Sequence, residues 1–177
     1  MIKISKTKLR GVLLIKRDVF KDFRGFYTET YNEALYQKLG IRIKFVQDDF
    51  SRSRRRVLRG FHGDNKTWKL VTCPLGKFYL VVVNCNKKSN SFGKWASFEL
   101  SGENHYQVLV PPRHGLAHLV LSKEAIFQYK QSTYYNRRAQ FTYRWDEPLF
   151  GVRWPVKNPV LSQRDKSAPY LNTRKRQ

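Results

Sequence analysis

Acidic residues are scarce in this 177-residue chain: 13 Asp and Glu stand against 35 Lys and Arg, a formal net charge of +22. Such an excess points first to nucleic acid, because many Lys and Arg on phosphates release counterions and bind without regard to sequence. The charges are dispersed, however, clustering only at Arg52 to Arg56 (R-S-R-R-R) and in the R-K-R near the end. No helix-turn-helix, zinc-finger or RNP signature accompanies them, which weighs against nucleic acid and leaves a surface that attracts small anions. Cysteine is scarcer still. Cys73 and Cys85 are too few for a disulfide framework and lie in apolar, strand-like segments where a reduced thiol behaves as a small hydrophobe. Neither has a second ligand at zinc spacing, so no metal is expected from them. Also missing are an apolar run of the ~18 residues a spanning helix needs and, in M-I-K-I-S-K-T-K-L-R, the apolar middle of a signal peptide. A cytoplasmic protein with no membrane contact is the expectation.

Helical pattern is nearly absent. Only Asn32 to Leu39 offers helix-like apolar spacing, with Gly40 placed as a C-cap. From Ile43 onward Val, Ile, Phe, Tyr and Trp dominate short runs broken by turn residues: Lys44 to Phe50, Val57 to His62, Trp68 to Cys73, Lys77 to Cys85, Trp95 to Leu100, Gln107 to Val110, Ala117 to Leu121, Ile126 to Thr133 and Gln140 to Trp145. Many short strands with one or two short helices predict an all-β sandwich, jelly roll or barrel. No linker or repeat interrupts them, so residues 1–171 read as a single domain, with 172–177 a basic tail expected to fray. The proline-interrupted segment from Gly151 onward is expected to wrap the body as coil.

Chemistry concentrates in Val57 to Leu70, V-L-R-G-F-H-G-D-N-K-T-W-K-L. Arg59, His62 and Lys69 carry a charged fork, a group that titrates near neutral pH and a compact ammonium into an otherwise core-like pattern. That combination suits holding an anionic substrate and moving a proton on it. His105, in the polar turn G-E-N-H, reads as surface. His114 and His118, in R-H-G-L-A-H, suggest a metal pair, but F-H-G-D-N-K lacks the second histidine that an H-x-H metal set requires, so no metal is expected there either.

Phe20 to Glu29, Phe45 to Ser53 and Val57 to Leu70, followed in order by S-F-G-K-W at Ser91, V-P-P at Val110, A-I-F-Q-Y-K at Ala125 and L-S-Q-R-D at Leu161, resemble the dTDP-4-dehydrorhamnose 3,5-epimerase family of nucleotide-sugar enzymes. The resemblance implies a cupin-like double-stranded β-helix jelly roll, a homodimer with exchanged N-terminal strands, and no cofactor. It implies inversion of C3, C5 or both on a nucleotide-activated 4-keto-6-deoxy sugar in deoxysugar (lipopolysaccharide) biosynthesis. By resemblance His62 is the base, Asp165 its partner, Tyr129 the acid opposite and Lys69 the stabiliser of the enolate. Arg59 then meets the pyrophosphate, and Arg24, Phe26, Glu29, Gln47 and Tyr135 line the nucleotide, some of them supplied by the partner subunit. Two departures stand out. Gly63-Asp64 replaces the usual Tyr or Phe and Gln after the histidine, an H-G-D-x-K-T form like that of a subgroup that includes 3-epimerases, and Leu116 replaces a polar His or Asn. Competing expectations are a 3,4-ketoisomerase on the same scaffold and a non-catalytic binder of sugar nucleotides or nucleic acid.

Overall fold

A computed structural model describes residues 2–171; the tail at 172–177 lies outside the described residues. In chain order the elements are β1 (Lys3–Lys6), β2 (Leu13–Lys16), β3 (Phe20–Asp22), β4 (Gly25–Tyr27), α1 (Glu33–Lys38), β5 (Gln47–Arg54), β6 (Leu58–Gly63) and β7 (Lys69–Thr72). They continue with β8 (Lys77–Asn84), β9 (Trp95–Ser101), β10 (Tyr106–Val110), β11 (His114–Val120), β12 (Glu124–Gln131), a 3₁₀ turn (Arg137–Ala139), β13 (Phe141–Thr142) and α2 (Gln163–Lys166). A six-stranded sheet in the order β1-β2-β10-β7-β12-β5 faces a five-stranded sheet in the order β13-β6-β11-β8-β9, and β3 with β4 forms a separate hairpin. Every pairing between these strands is antiparallel. Neighbours distant in sequence, such as β12 between β7 and β5, give the interleaved jelly roll expected.

Alternation along the strands sorts residues into three apolar layers. Between the sheets, Val71, Val108 and Val110 of the larger meet Phe78, Leu80 and Val82 of the smaller. The intervening residues of β8, Val81 and Val83, face outward with Phe61 and Ala117 and are covered by Phe150 and Trp154 of the C-terminal segment. On the outer face of the larger sheet, Ile15, Leu70 and Leu109 receive Tyr36 of α1 and Ile41. Full burial of such a side chain stabilises by about 1.5–3 kcal/mol. β11 is buried along its whole length because layers cover both of its faces. The helix forms where its caps permit: Asn32 accepts the Leu35 N–H at 3.1 Å, and Gly40 leaves the helix with φ of +87°.

One irregularity controls the interior. Opposite β11, Leu116 pairs with His62 but His118 pairs with Arg59, so two steps on β11 match three on β6. The extra residue is a β-bulge. By alternation Arg59 and His62, three apart, would point to opposite faces; with the bulge both reach the space between the sheets. Gly60 makes this possible. Its φ is +121°, and a Cβ there would lie 2.3 Å from the Leu116 carbonyl oxygen.

Several expected boundaries shift. The strand expected at Lys44 to Phe50 lies at Gln47–Arg54, so the R-S-R-R-R run is half strand, with the turn at Arg55 and Arg56. The strand expected from Ala117 begins at His114, and Gln140 to Trp145 shrinks to two residues. The C-terminal coil is interrupted by α2, capped by Ser162, whose Oγ accepts the Asp165 N–H at 3.2 Å. His105 is buried rather than surface: Phe26 covers its ring at 4.5 Å.

Candidate active site

A cavity of about 290 Å³ opens between the sheets, walled by β5, β6, β7, β11 and β12. That is the small end of ligand pockets, suited to a sugar with the remainder of a nucleotide lying across the mouth. Strand alternation explains the wall. Lys69 is two residues from core Val71, and Tyr129 is two residues from Phe127, so both side chains point inward on the lines of their core neighbours.

His62 enters from β6 and meets Asp165 of α2, Nε2 lying 2.7 Å from Oδ1. The carboxylate is almost fully covered, at 2% exposure, whereas the imidazole keeps 28% and faces the cavity. Asp165 also accepts the Ser162 hydroxyl at 2.7 Å and, at 3.4 Å, the Gly60 N–H. Burial alone would push the Asp165 carboxyl up, but His62, Ser162 and Gly60 together hold it below the usual carboxylate range. It is therefore an anion, and an anion beside Nε2 fixes the proton there. The lone pair of the neutral ring then sits on Nδ1, free to take a proton.

Tyr129 and Lys69 complete the reactive wall. Burial first, then the charges of Asp49 and Tyr135, push the Tyr129 phenol up to about 12, so it stays protonated and can only give. Lys69 Nζ lies 5.6 Å from the centre of the Tyr129 ring, a cation–π distance. Burial lowers the Lys69 pKa, with Asp64 and then Asp49 opposing. Asp49 is held in turn by the amides of Gln47 at 2.8 Å and Gln131 at 2.7 Å.

Of the other residues singled out from sequence, Arg59 and Tyr135 line the same cavity. Arg59 Nε donates to the Ser53 hydroxyl at 3.0 Å, which leaves its terminal nitrogens available. Gln47 is not part of the wall; it accepts the Tyr135 N–H at 2.8 Å and braces Asp49 from behind. Arg24, Phe26 and Glu29 lie elsewhere in this chain. Arg24 pairs with Asp22 at 2.6 Å on the β3–β4 hairpin, Phe26 packs on His105, and Glu29 accepts from Asn32 at 3.2 Å. A single chain thus gathers the reactive groups and leaves these three apart.

The wall also holds Asp49, Gln140 and Arg164, which sequence reasoning passed over, and His118, which it weighed only as half of a metal pair. Arg164 adjoins Asp165 and donates twice to Thr142 Oγ1, at 3.2 and 2.7 Å. The available signal for Asp49 was the polar alternation Gln47, Asp49, Ser51, Ser53, a strand face with no apolar member. His118 stacks on Phe127 at 4.1 Å, and its buried Nε2 has no hydrogen-bond partner among the described residues. Leu116, paired across the strands with His62, gives the wall an apolar surface.

A carboxylate-held imidazole, a protonated phenol and a buried amine around one small cavity of a jelly roll define an enzyme class that moves protons on a small substrate. The model of the dTDP-4-dehydrorhamnose 3,5-epimerase family matches residues 6–173, and the chain belongs to that family. The dTDP-4-dehydrorhamnose 3,5-epimerase of Salmonella typhimurium is 38% identical over 179 residues, covering 97% of each chain. A dTDP-6-deoxy-D-glucose-3,5-epimerase from Legionella pneumophila, solved with dTDP-4-keto-L-rhamnose, superimposes with a TM-score of 0.93 at 35% identity, over 98% of this chain and 94% of that one. A 3'-monoepimerase from Streptomyces bikiniensis, solved with dTDP-quinovose, has a TM-score of 0.87 at 27% identity, over 93% of this chain and 85% of that one.

Proposed function

We propose that this enzyme epimerises a dTDP-4-keto-6-deoxyhexose at C3, C5 or both, through an enolate and without a cofactor. The observation that carries the proposal is the His62–Asp165 pair at 2.7 Å in the same cavity as a Tyr129 phenol pushed up to about 12. In this reading His62 Nδ1 takes the proton from the carbon beside the C4 ketone, and the C–H electrons move into the carbonyl to form an enolate. Asp165 stabilises the imidazolium that results. The Lys69 ammonium faces the enolate oxygen, where one well-placed donor is worth about 3–4 kcal/mol. Tyr129 returns a proton to the opposite face of the carbon, and water restores Tyr129 and relieves His62.

Arg59 and Tyr135 at the mouth suit the diphosphate and the base. Arg24, Phe26 and Glu29 then belong to the partner's site. The β3–β4 hairpin exposes Phe20, Phe26 and Tyr27 by more than half of their surfaces and Phe23 by 97%, an apolar patch that calls for a partner. A homodimer exchanging this hairpin places it across the neighbouring cavity. Buried, unpaired thiols at Cys73 and Cys85 are in keeping with a cytoplasmic enzyme.

The test is proton exchange. In D₂O, dTDP-4-keto-6-deoxyglucose is expected to lose its C3 signal, its C5 signal or both with inversion, as followed by NMR. Exchange at neither carbon with dTDP, GDP or CDP sugars would refute the proposal, and a 3-keto product would assign a 3,4-ketoisomerase instead.

A further inference from the structure

Asp64 is a buried carboxylate that the proton transfer leaves unused. It is 5% exposed in the turn G-D-N-K-T after β6. Oδ1 accepts the backbone N–H groups of Lys66 at 2.8 Å and Thr67 at 2.7 Å, while Oδ2 accepts Gln140 Nε2 at 3.0 Å. Burial pushes its pKa up, but these hydrogen bonds bring it below the ordinary value, so the group is charged.

Gln140 stands between two cavities. It lines the reactive one beside Lys69 and Arg164, and also a second one behind, lined by Asp64, Thr67 and Thr133. A carboxylate can only accept, so the amide must turn its NH₂ to Asp64. Oε1 is then directed away from Asp64 and accepts no hydrogen bond from the described residues. Asp64 is also the first of the charges that sustain the Lys69 ammonium against burial.

We propose that Asp64 is a positioning residue of the epimerase site: it locks Gln140 so that Oε1 meets a sugar hydroxyl as a fixed acceptor, and it sets a buried negative charge behind Lys69. The proposal rests on the epimerase reading for its activity arm but not for its titration arm. In Asp64→Asn, Oδ1 still accepts from Lys66 and Thr67 and keeps the turn. Nδ2 replaces Oδ2 as a donor, so the Gln140 amide turns over and presents NH₂ to the sugar, and the charge is gone. Adding Gln140→Glu reverses both changes, because the new side-chain amide at position 64 then donates to a carboxylate whose second oxygen restores the acceptor and the charge.

The experiment compares these variants in the full chain. In Asp64→Asn, kcat/KM for deuterium exchange with dTDP-4-keto-6-deoxyglucose is expected to fall about 10–100-fold. The double variant is expected to recover most of that loss. Without substrate, the ¹⁵Nζ titration of Lys69 is expected to move to lower pH in Asp64→Asn and to return in the double variant. A structural role alone would not produce that return. Unchanged kcat/KM in Asp64→Asn, a double variant no better than the single, or a Lys69 titration that stays fixed would each overturn the proposal. Should Asp64→Asn fail to fold, Gln140→Leu removes the acceptor and leaves the turn. It is expected to lose about tenfold in kcat/KM with the Lys69 titration unmoved, and full activity would overturn the proposal. If the unaltered enzyme exchanges no proton on any nucleotide sugar, the epimerase reading falls, and the Lys69 titration still judges the role of Asp64.

Discussion

The loss of stability in acid should carry the signature of one histidine. His118 is 4% exposed and stacked flat on Phe127, with Phe78 at 5.3 Å. Burial first, then the charges of Arg59 and His62, lower its pKa from 6.5 to about 3, with only Asp165 pulling the other way. In the unfolded chain the same ring titrates near ~6.5. Between the two values the unfolded chain binds a proton that the folded chain refuses, so stability falls as the pH drops through that window. Once the unfolded ring is fully charged the contribution is one proton, a slope of about 1.4 kcal/mol per pH unit, and below about 3 it vanishes because both states are protonated. His118→Phe keeps the stack on Phe127 and removes the titrating site. Urea unfolding followed by tryptophan fluorescence, in steps from about pH 6 to about pH 4.5, should give a pH slope shallower by that one-proton amount in the variant. The other buried histidines and the carboxylates contribute equally to both proteins and cancel in the difference. Parallel slopes would mean that His118 binds its proton in the folded state and that its burial has been misjudged.

Asp165→Asn should keep the His62 tautomer, since an amide oxygen can still accept from Nε2 while Ser162 turns to accept from the amide. Only the stabilisation of the imidazolium is then lost, and the exchange rate should fall about 10–100-fold with nucleotide affinity unchanged by calorimetry. Tyr129→Phe should uncouple exchange from inversion: deuterium should enter with retention from the His62 side, while epimerisation drops about 10²–10⁴-fold by NMR. Mixing His62→Ala with Arg24→Ala should regenerate activity if sites are shared. Half of the randomly paired dimers are mixed and hold one intact site of two, so about a quarter of the wild-type rate is expected, and no recovery would place Arg24 outside the neighbouring site.

Much of the fold was legible because β-branched and aromatic runs between turn residues state a strand plainly, as at Lys77–Asn84. Gln47–Arg54 was misplaced because neither of its faces is apolar: one carries Asp49 and Ser51 toward the cavity, and the other Arg52 and Arg54 toward water. Hydrophobic periodicity is blind to such a strand. His62, Lys69, Tyr129 and Asp165 were proposed as a set through their order along the chain, but the contact between His62 and Asp165 spans 103 residues, and no local pattern announces it. Gln140 and Arg164 were invisible for the same reason. Their side chains matter through Asp64 and Thr142, distant in sequence and ordinary in type. Arg24 and Phe26 of the hairpin and Glu29 just after it were placed in the site from sequence, but this chain alone leaves them outside its cavity.

The bulge at Gly60 has a consequence for how this site can change over time. A strand of period two reads its residues in phase, like a two-letter frame, and the extra residue shifts that frame between Arg59 and His62. A change that straightened the bulge at constant length would not weaken the site gradually; it would exchange inside and outside, sending the His62 ring toward the layer of Phe150 and Trp154 and the Phe61 ring toward the cavity. Substitutions can explore the walls of this cavity one at a time, whereas the bulge is all or nothing. The spacing R-G-F-H is therefore a unit, and a graft of the arginine and histidine at this spacing into a regular strand would fail without the glycine that keeps them in step.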